Sequence, residues 1–269
     1  MASVFNEGMS KKRKESNKII LTVTAMNPEG PEFFDNDEVF EIYTQGRNRQ
    51  DSPNDTLEKP VLWELIAPVS GQKILDLGCG DASIGKELLE NGALAYLGIE
   101  GSQNMFALAQ STLNGTAGEV IHADLRSWDY PSNVFDLVIS RLALHYIQDL
   151  GAVFSDVFNS LIRGGKFVFS VEHPVITSCD RAYPPGTKRQ DWIVDNYFET
   201  GIRITNWMGG QVVKYHHTIE DYFIRLQEAG FVVEQLRESR PQRSQFNDEA
   251  AYERRKRIPL FLFLSARKP

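Results

Sequence analysis

Cysteine is scarce in this sequence: its 269 residues include only Cys79 and Cys179. Two cysteines cannot build the disulfide framework of a small secreted protein, and their surroundings show no zinc-ligand spacing. The N-terminus lacks the apolar core of a signal peptide. The longest apolar runs, such as PLFLFL near the C-terminus, are too short to span a bilayer. We therefore expect a cytoplasmic protein in a reducing compartment, with no membrane as a partner.

Positively charged residues are outnumbered by negatively charged ones, and the formal net charge is −7. A nucleic-acid-binding domain usually carries a basic surface, so we expect no nucleic acid partner. The basic run KKRK (11–14) is typical of a solvated tail. The hydrophobic content of 42% and the charged content of 24% are those of an ordinary globular protein. The length suits a single α/β domain with an elaboration.

Five short apolar segments alternate with helical patterns and predict five consecutive strands. They are KILDL (73–77), AYLGIE (95–100), EVIHAD (119–124), FDLVIS (135–140) and KFVFSVEH (166–173). Repeated strand–helix units of this length predict a parallel sheet with helices on both faces. FVVEQLRES and RIPLFLFLSAR, close to the C-terminus, predict two further strands.

The remaining segments divide the chain into an arm and one domain. Residues 1–35 are polar and irregular, and we predict a mobile N-terminal arm there, for which partial helix stays open. Residues 36–269 are predicted to form one domain, within which 36–70 form a helical lid. Residues 174–216 interrupt the strand–helix rhythm and are rich in proline, glycine and aromatic residues. We predict that they form an inserted cap over the substrate.

The segment ILDLGCGDAS (74–83) has the pattern of a ligand-binding turn. Gly78 and Gly80 follow a predicted strand and precede a predicted helix, which is where a nucleotide-like ligand approaches the backbone. The third glycine of a dinucleotide fingerprint would fall at Ser83. The Gly-Lys-Ser/Thr ending of a P-loop is absent as well. Both omissions weaken a phosphate-binding interpretation.

Two carboxylates at strand ends suggest what the ligand contains. Asp76, at the end of the first strand, would repel a pyrophosphate and suits a positively charged group. Glu100 ends the second strand, where an acid can accept both hydroxyls of a ribose. S-adenosylmethionine has a ribose and a cationic part and lacks phosphate. Structural roles remain open: Asp76 as a helix cap, Glu100 as a surface acid and Asp124 as a turn residue.

Five segments taken together resemble the motif series of the class I S-adenosylmethionine-dependent methyltransferases. They are LDLGCGDAS, GIEGSQNM, HADL, FDLVISRLALHYI and LIRGGKFVFSVEHPV, and the likeness is to the small-molecule, type 11-like branch. The resemblance implies a Rossmann-like α/β fold, with a seven-stranded, mainly parallel sheet whose last strand is antiparallel. It also implies S-adenosylmethionine as cofactor and S-adenosylhomocysteine as product. We expect no metal.

The resemblance also implies which residues contact the cofactor. Asp76 would lie near the methionine amino group, Glu100 would hold the ribose and Asp124 would accept from the adenine amino group. The other implied contacts are Gly78, Gly80, Ser102, Met105 and Leu125. We add Tyr43, Gly101 and Ser140 as predicted cofactor contacts. Ala82 stands where many members have a third glycine, and we expect only a modest effect on the turn.

The predicted reaction is methyl transfer to O, N or C of a small aromatic or heteroaromatic molecule. His145, after the fourth strand, is the candidate general base, although a packing role for this ring stays open. Arg141 is the second candidate catalytic residue and would share a helix face with His145 if the segment is helical there; a contact to the methionine part of the cofactor and a structural salt bridge stay open for it. Predicted substrate contacts are His173, Trp192, Tyr197 and Trp207. The alternatives are an NAD-dependent oxidoreductase and a non-catalytic regulator or subunit that binds S-adenosylmethionine.

Overall fold

A computed structural model describes residues 28–47, 52–179 and 191–269 of the chain. Seven strands in these ranges form one sheet, and two further strands form a separate hairpin. The strands are β1 (Lys73–Leu77), β2 (Ala95–Glu100), β3 (Gly118–His122), β4 (Phe135–Arg141), β5 (Leu161–Glu172), β6 (Gly201–Trp207), β7 (Gly210–His216), β8 (Val232–Glu238) and β9 (Phe261–Arg267). The predicted arm over residues 1–27 lies outside the described residues.

The order of strands in the large sheet is β3-β2-β1-β4-β5-β9-β8. Strands β1 to β5 pair in parallel, whereas β9 pairs antiparallel with both β5 and β8. The predicted Rossmann-like fold with an antiparallel last strand is therefore confirmed. The strand order reverses between β1 and β4, so the carboxyl ends of these two strands mark the place where ligands bind in open α/β sheets.

Helices cover both faces of the sheet and part of its carboxyl edge. They are α1 (Gly30–Phe34), α2 (Asp37–Arg47), α3 (Lys59–Ile66), α4 (Ser83–Glu90), α5 (Gln103–Leu113), α6 (Leu150–Ser160), α7 (Pro174–Thr177), α8 (Ile219–Glu228) and α9 (Glu249–Arg255). A π-helical turn, Asn54–Glu58, leads directly into α3. Thr218 and Asp221 form a reciprocal capping box that fixes the start of α8.

The sheet separates two hydrophobic layers. One layer packs the sheet against α6 and α8, and the other packs it against α3, α4 and α5. Along β5 the side chains alternate between them, since Phe167 and Phe169 belong to the first layer and Val168 to the second. A strand buried on both faces is apolar throughout, which explains why the sequence KFVFSV predicts it well.

The N-terminal segment differs from a mobile arm in its described part. Phe33 is 1% exposed, and its ring stacks on Trp207 of the hairpin with centroids 5.6 Å apart. The backbone N–H of Val213 donates to Pro28 O at 3.1 Å. The sequence Asn-Pro-Glu-Gly-Pro has the composition of a loop, yet α1 begins within it. Pro31 lies in the first turn of α1, where proline is tolerated. The predicted cap consists of α7 and the β6–β7 hairpin within its described residues.

Candidate functional site

A cavity of about 630 Å³ opens at the carboxyl ends of the parallel strands. Its walls come from the loops that follow β1, β2, β3 and β4, from the end of β5, from α1 and α2, and from the turn of the β6–β7 hairpin. A cavity of this size holds a cofactor-sized ligand. The fold thus brings together loops that are far apart in the sequence.

Two glycines of the loop after β1 serve different purposes. Gly78 has a φ of +70°, and a Cβ built there would lie 2.5 Å from the Cβ of Ala143. Glycine at position 78 therefore allows the loop to pack on the segment after β4. Gly80 has a φ of +59°, lines the cavity, and has no atom within 4 Å of its built Cβ. The space beside Gly80 is thus a backbone cradle that a ligand can fill.

Gly80→Ala is expected to weaken S-adenosylhomocysteine binding at least tenfold, because the added methyl group enters the cradle. Gly115→Ala is the matched control, since Gly115 also has a positive φ, of +77°, with nothing within 4 Å. Both substitutions strain the backbone by about 1 kcal/mol. Calorimetric titration checks the affinity and chemical denaturation checks the stability. Equal affinity in the two variants would contradict a ligand in the cradle.

Glu100 is held at the end of β2 by backbone donors. Its Oε2 accepts from Gly80 N at 2.8 Å, and its Oε1 accepts from Ser102 N at 2.8 Å. Burial raises the pKa of Glu100, while these backbone hydrogen bonds act to lower it. The carboxylate lines the cavity, and each of its oxygens has a further acceptor site. The arrangement suits recognition of a pair of ribose hydroxyls.

Asp76 lies fully buried next to the glycine loop, although it does not itself line the cavity. Its Oδ2 accepts from the Tyr96 hydroxyl at 2.8 Å. Its Oδ1 is buried and has no hydrogen-bond partner among the residues that the structure describes. Burial raises the pKa of Asp76 to about 7, against the lowering effects of Tyr96 and Arg141. Such an orphaned carboxylate oxygen favours a cationic ligand group nearby.

Asp124 lines the cavity, but a neighbouring arginine already engages its carboxylate. Arg126 Nε lies 2.9 Å and 3.0 Å from the two Asp124 oxygens, and its Nη1 pairs with Glu29. Burial acts to raise the pKa of Asp124, but the hydrogen bonds from Arg126 outweigh it and lower the pKa. Arg126 therefore ties the loop after β3 to the segment before α1. The sequence did not predict a role for this arginine, although it stands two residues after Asp124.

Arg141 and His145 both line the cavity, but they do not form the predicted pair on one helix face. Leu142 has a φ of +53°, and only a short 3₁₀ turn, Leu144–Tyr146, follows it. Arg141 turns to Glu58, with Nε 3.2 Å and 3.1 Å from the two carboxylate oxygens. The segment after β4 bends too sharply for the helix on which that prediction depended.

His145 sits deep in the cavity wall. It is 2% exposed, and its Nδ1 lies 3.5 Å from the backbone nitrogen of Glu172. Its ring packs on Tyr146 with centroids 4.5 Å apart. Burial lowers the pKa of His145 to about 3. The ring is therefore neutral near pH 7 and is a weaker base than an ordinary histidine.

Most other predicted cofactor contacts lie at the cavity, and the exceptions have internal partners. Gly101, Met105, Leu125 and Tyr43 line the cavity. Ser140 and Ser102 are not among its lining residues. The Ser140 hydroxyl donates to Leu77 O at 2.8 Å and so joins β4 to β1. The Ser102 hydroxyl caps α5 and donates to Asp35 at 2.7 Å.

Of the predicted substrate contacts, the structure brings only Trp207 to the cavity wall. His173 caps α7 and lies 3.0 Å from a Glu238 carboxylate oxygen. Trp192 packs beneath the guanidinium of Arg257, 5.1 Å from the ring centroid. The Tyr197 hydroxyl accepts from the backbone nitrogen of Ile219 at 3.2 Å. These three side chains therefore support the structure around the cap.

Several residues that shape the cavity were not predicted from the sequence. Glu172, the last residue of β5, lines it. Tyr146 also lines it, one residue after the predicted base. Glu58 holds Arg141 from 83 positions away. Nothing local in the sequence indicates that contact.

Neither a metal cluster nor a bilayer-crossing helix is found in the described ranges. Across residues 28–47, 52–179 and 191–269, no group of three or more His, Cys, Asp or Glu side chains is arranged to hold a metal ion. No helix in the same ranges combines the length and apolar character that a membrane crossing needs. Metal independence and a cytoplasmic location stay predictions.

The fold and the site are those of an α/β protein whose cavity, at the carboxyl ends of the strands, has features suited to a nucleoside-containing ligand. A family model described as a methyltransferase domain matches residues 75–169. The solved S-adenosylmethionine-dependent methyltransferase from Mesorhizobium loti is 35% identical, with a TM-score of 0.71 over 78% of this chain and 97% of that one. An uncharacterized protein of Haemophilus influenzae is 30% identical over 87% of this chain and 96% of its own length.

The chain belongs to the S-adenosylmethionine-dependent methyltransferases. S-adenosylmethionine is accordingly its cofactor, and the predicted NAD-dependent alternative is set aside. A phosphoethanolamine N-methyltransferase of Triticum aestivum is 39% identical over 109 residues, which are 40% of this chain and 22% of that protein. The chain thus spans about a fifth of that relative, and the name of the relative does not identify the methyl acceptor here.

Proposed function

We propose that this chain transfers the methyl group of S-adenosylmethionine to O, N or C of a small aromatic or heteroaromatic molecule. The observation that carries the proposal is the continuity of the cavity. One wall contains the cofactor-type features Gly80 and Glu100, and the same cavity is lined by Tyr43, Tyr146 and Trp207. Aromatic walls suit a planar acceptor and attract a nearby sulfonium through cation–π interactions.

Particular residues of the chain would hold the cofactor in this cavity. Glu100 would accept from its ribose hydroxyls, the Gly80 cradle would admit it close to the backbone, and Met105 and Leu125 would flank its adenosine. The cofactor supplies an activated methyl group. The protein then has to align the acceptor with that group, and alignment can lower the barrier by roughly 7 kcal/mol or more.

Aromatic side chains from the predicted arm, lid and cap meet at one wall of the cavity. Phe34 of α1, Tyr43 of α2 and Trp207 of the hairpin contact one another edge to face, with centroids 5.0 to 6.3 Å apart. All three side chains line the cavity. A packed aromatic cluster at this place excludes solvent from the acceptor and from the methyl group.

His145→Ala is expected to lower turnover at least tenfold and to leave S-adenosylhomocysteine affinity within twofold of the wild type. We propose that the ring, first predicted as a general base, acts on the acceptor. A neutral imidazole can contact the acceptor and position its reacting atom. Turnover and calorimetric titration of the same preparation check the two expectations. Unchanged turnover would remove His145 from the reaction.

An acceptor screen tests the proposed function. The protein is incubated with S-adenosylmethionine and single candidates from a set of phenols and heteroaromatic compounds, and release of S-adenosylhomocysteine is measured by mass spectrometry. Phosphoethanolamine is the comparison compound. Methylation of aromatic candidates is the expected result. Methylation of phosphoethanolamine alone would overturn the aromatic class, and cofactor binding without any turnover would favour the non-catalytic alternative.

A further inference from the structure

A buried lysine lies next to the part of the cavity that Tyr146 and Trp207 line. Lys214 is 2% exposed, and its Nζ lies 2.7 Å from Glu172 Oε1. The ammonium also faces two aromatic rings, at 5.1 Å from the Trp207 centroid and 5.7 Å from the Tyr146 centroid. Burying an ammonium is costly unless a carboxylate or ring face compensates the charge. The structure supplies both kinds of compensation.

The position of this ion pair follows from the topology. Lys214 is carried by β7 of the hairpin, and Glu172 is the last residue of β5. Glu172 lines the cavity, and its backbone nitrogen lies 3.5 Å from His145 Nδ1. The Glu172 carboxylate therefore lies near His145, Tyr146 and Trp207. We assign this end of the cavity to the acceptor.

We propose that Glu172 is the catalytic residue that accepts a hydrogen bond from the acceptor's O–H or N–H and then takes that proton. Lys214 is a positioning residue, because it fixes the orientation of the carboxylate and compensates its charge without lining the cavity. This inference rests on the proposed function. It narrows the substrate class to planar ring compounds that carry a hydroxyl or N–H group at the methylated atom.

The proposed step balances in atoms and charge. The acceptor's oxygen or nitrogen forms a bond to the methyl carbon while the carbon–sulfur bond breaks, and the electron pair of that bond stays on sulfur. The acceptor's proton passes to the Glu172 carboxylate. One positive sulfonium and one negative carboxylate are both neutralised, so no further reactant is required. The proton returns to solvent when the product leaves.

The test compares two ligands that differ only at the group recognised by Glu172. In the presence of saturating S-adenosylhomocysteine, the protein is titrated with 2-naphthol, which has a hydroxyl donor, and with 2-methoxynaphthalene, which has none. We expect the wild type to bind 2-naphthol at least tenfold more tightly. Glu172→Gln and Lys214→Met should reduce this preference to less than twofold, whereas Lys214→Arg should restore it.

A matched control is available on the surface. Glu64→Gln removes a carboxylate from an exposed pair with Arg237, and this variant should keep the full preference for 2-naphthol. Equal binding of the two ligands by the wild type would overturn the role of Glu172, whatever the stability of the variants. Failure of the wild type to bind S-adenosylhomocysteine at all would instead overturn the proposed function.

Discussion

Glu58→Ala is expected to destabilise the protein by about 3–5 kcal/mol, because the substitution leaves a buried arginine without its counter-ion. Glu58 is fully buried. It pairs with Arg141 and also accepts from the Ser170 hydroxyl at 2.8 Å. Since Arg141 lines the cavity, its displacement should also weaken S-adenosylhomocysteine binding. Urea denaturation measures the first effect and calorimetric titration measures the second.

The control for this prediction is an ion pair nearer the surface. Glu87 pairs with Lys59, and both side chains are about one-third exposed. Glu87→Ala should therefore cost less than about 1 kcal/mol. A loss of the same size in both variants would show that the Glu58–Arg141 pair does not organise the segment after β4.

Asp76→Asn is expected to stabilise the protein at pH 8 by about 4 kcal/mol. The folded state raises the pKa of Asp76 from 3.8 to about 7, and one unit corresponds to about 1.4 kcal/mol. Above pH 3.8 the unfolded chain loses this proton while the folded protein keeps it. The free energy of unfolding therefore falls as the pH rises from about 4 to 7. Above pH 7 Asp76 is ionised in both states, and the full cost of burying its charge lowers the stability of the folded protein.

Asparagine cannot ionise, so the variant lacks this penalty and retains an oxygen for the Tyr96 hydroxyl. Chemical denaturation at pH 4 and pH 8 should show similar stabilities at the lower pH and divergence at the higher one. Identical pH dependence of the two proteins would contradict the raised pKa. Weaker binding of S-adenosylhomocysteine by the variant would indicate that this costly aspartate is retained for function.

The sheet could be predicted from the sequence because its strands are apolar over their whole length and end in recognisable turns. β1 begins and ends where KILDL does. The antiparallel placement of β9 came from the family resemblance, since periodicity does not specify strand direction. The bounds of helix α1 could not be predicted, because Pro31 and its neighbours have the composition of a loop, and the packing of Phe33 against the hairpin helps to hold the helix in place.

The cofactor end of the site was easier to predict than the acceptor end. Gly78, Gly80 and Glu100 are placed by local backbone geometry, which a short motif in the sequence specifies. Glu58 and Lys214 act through contacts that span 83 and 42 positions. Such contacts depend on how the π-helical turn and the hairpin fold back on the sheet, and no local pattern specifies that.

We infer that the cavity holds S-adenosylmethionine through the glycine loop and Glu100. Calorimetric titration with S-adenosylhomocysteine, with NAD as the comparison, tests this inference most directly. We expect micromolar binding of S-adenosylhomocysteine, loss of that binding in Glu100→Ala, and no binding of NAD. Binding of NAD by the folded wild type, together with no binding of S-adenosylhomocysteine, would contradict it.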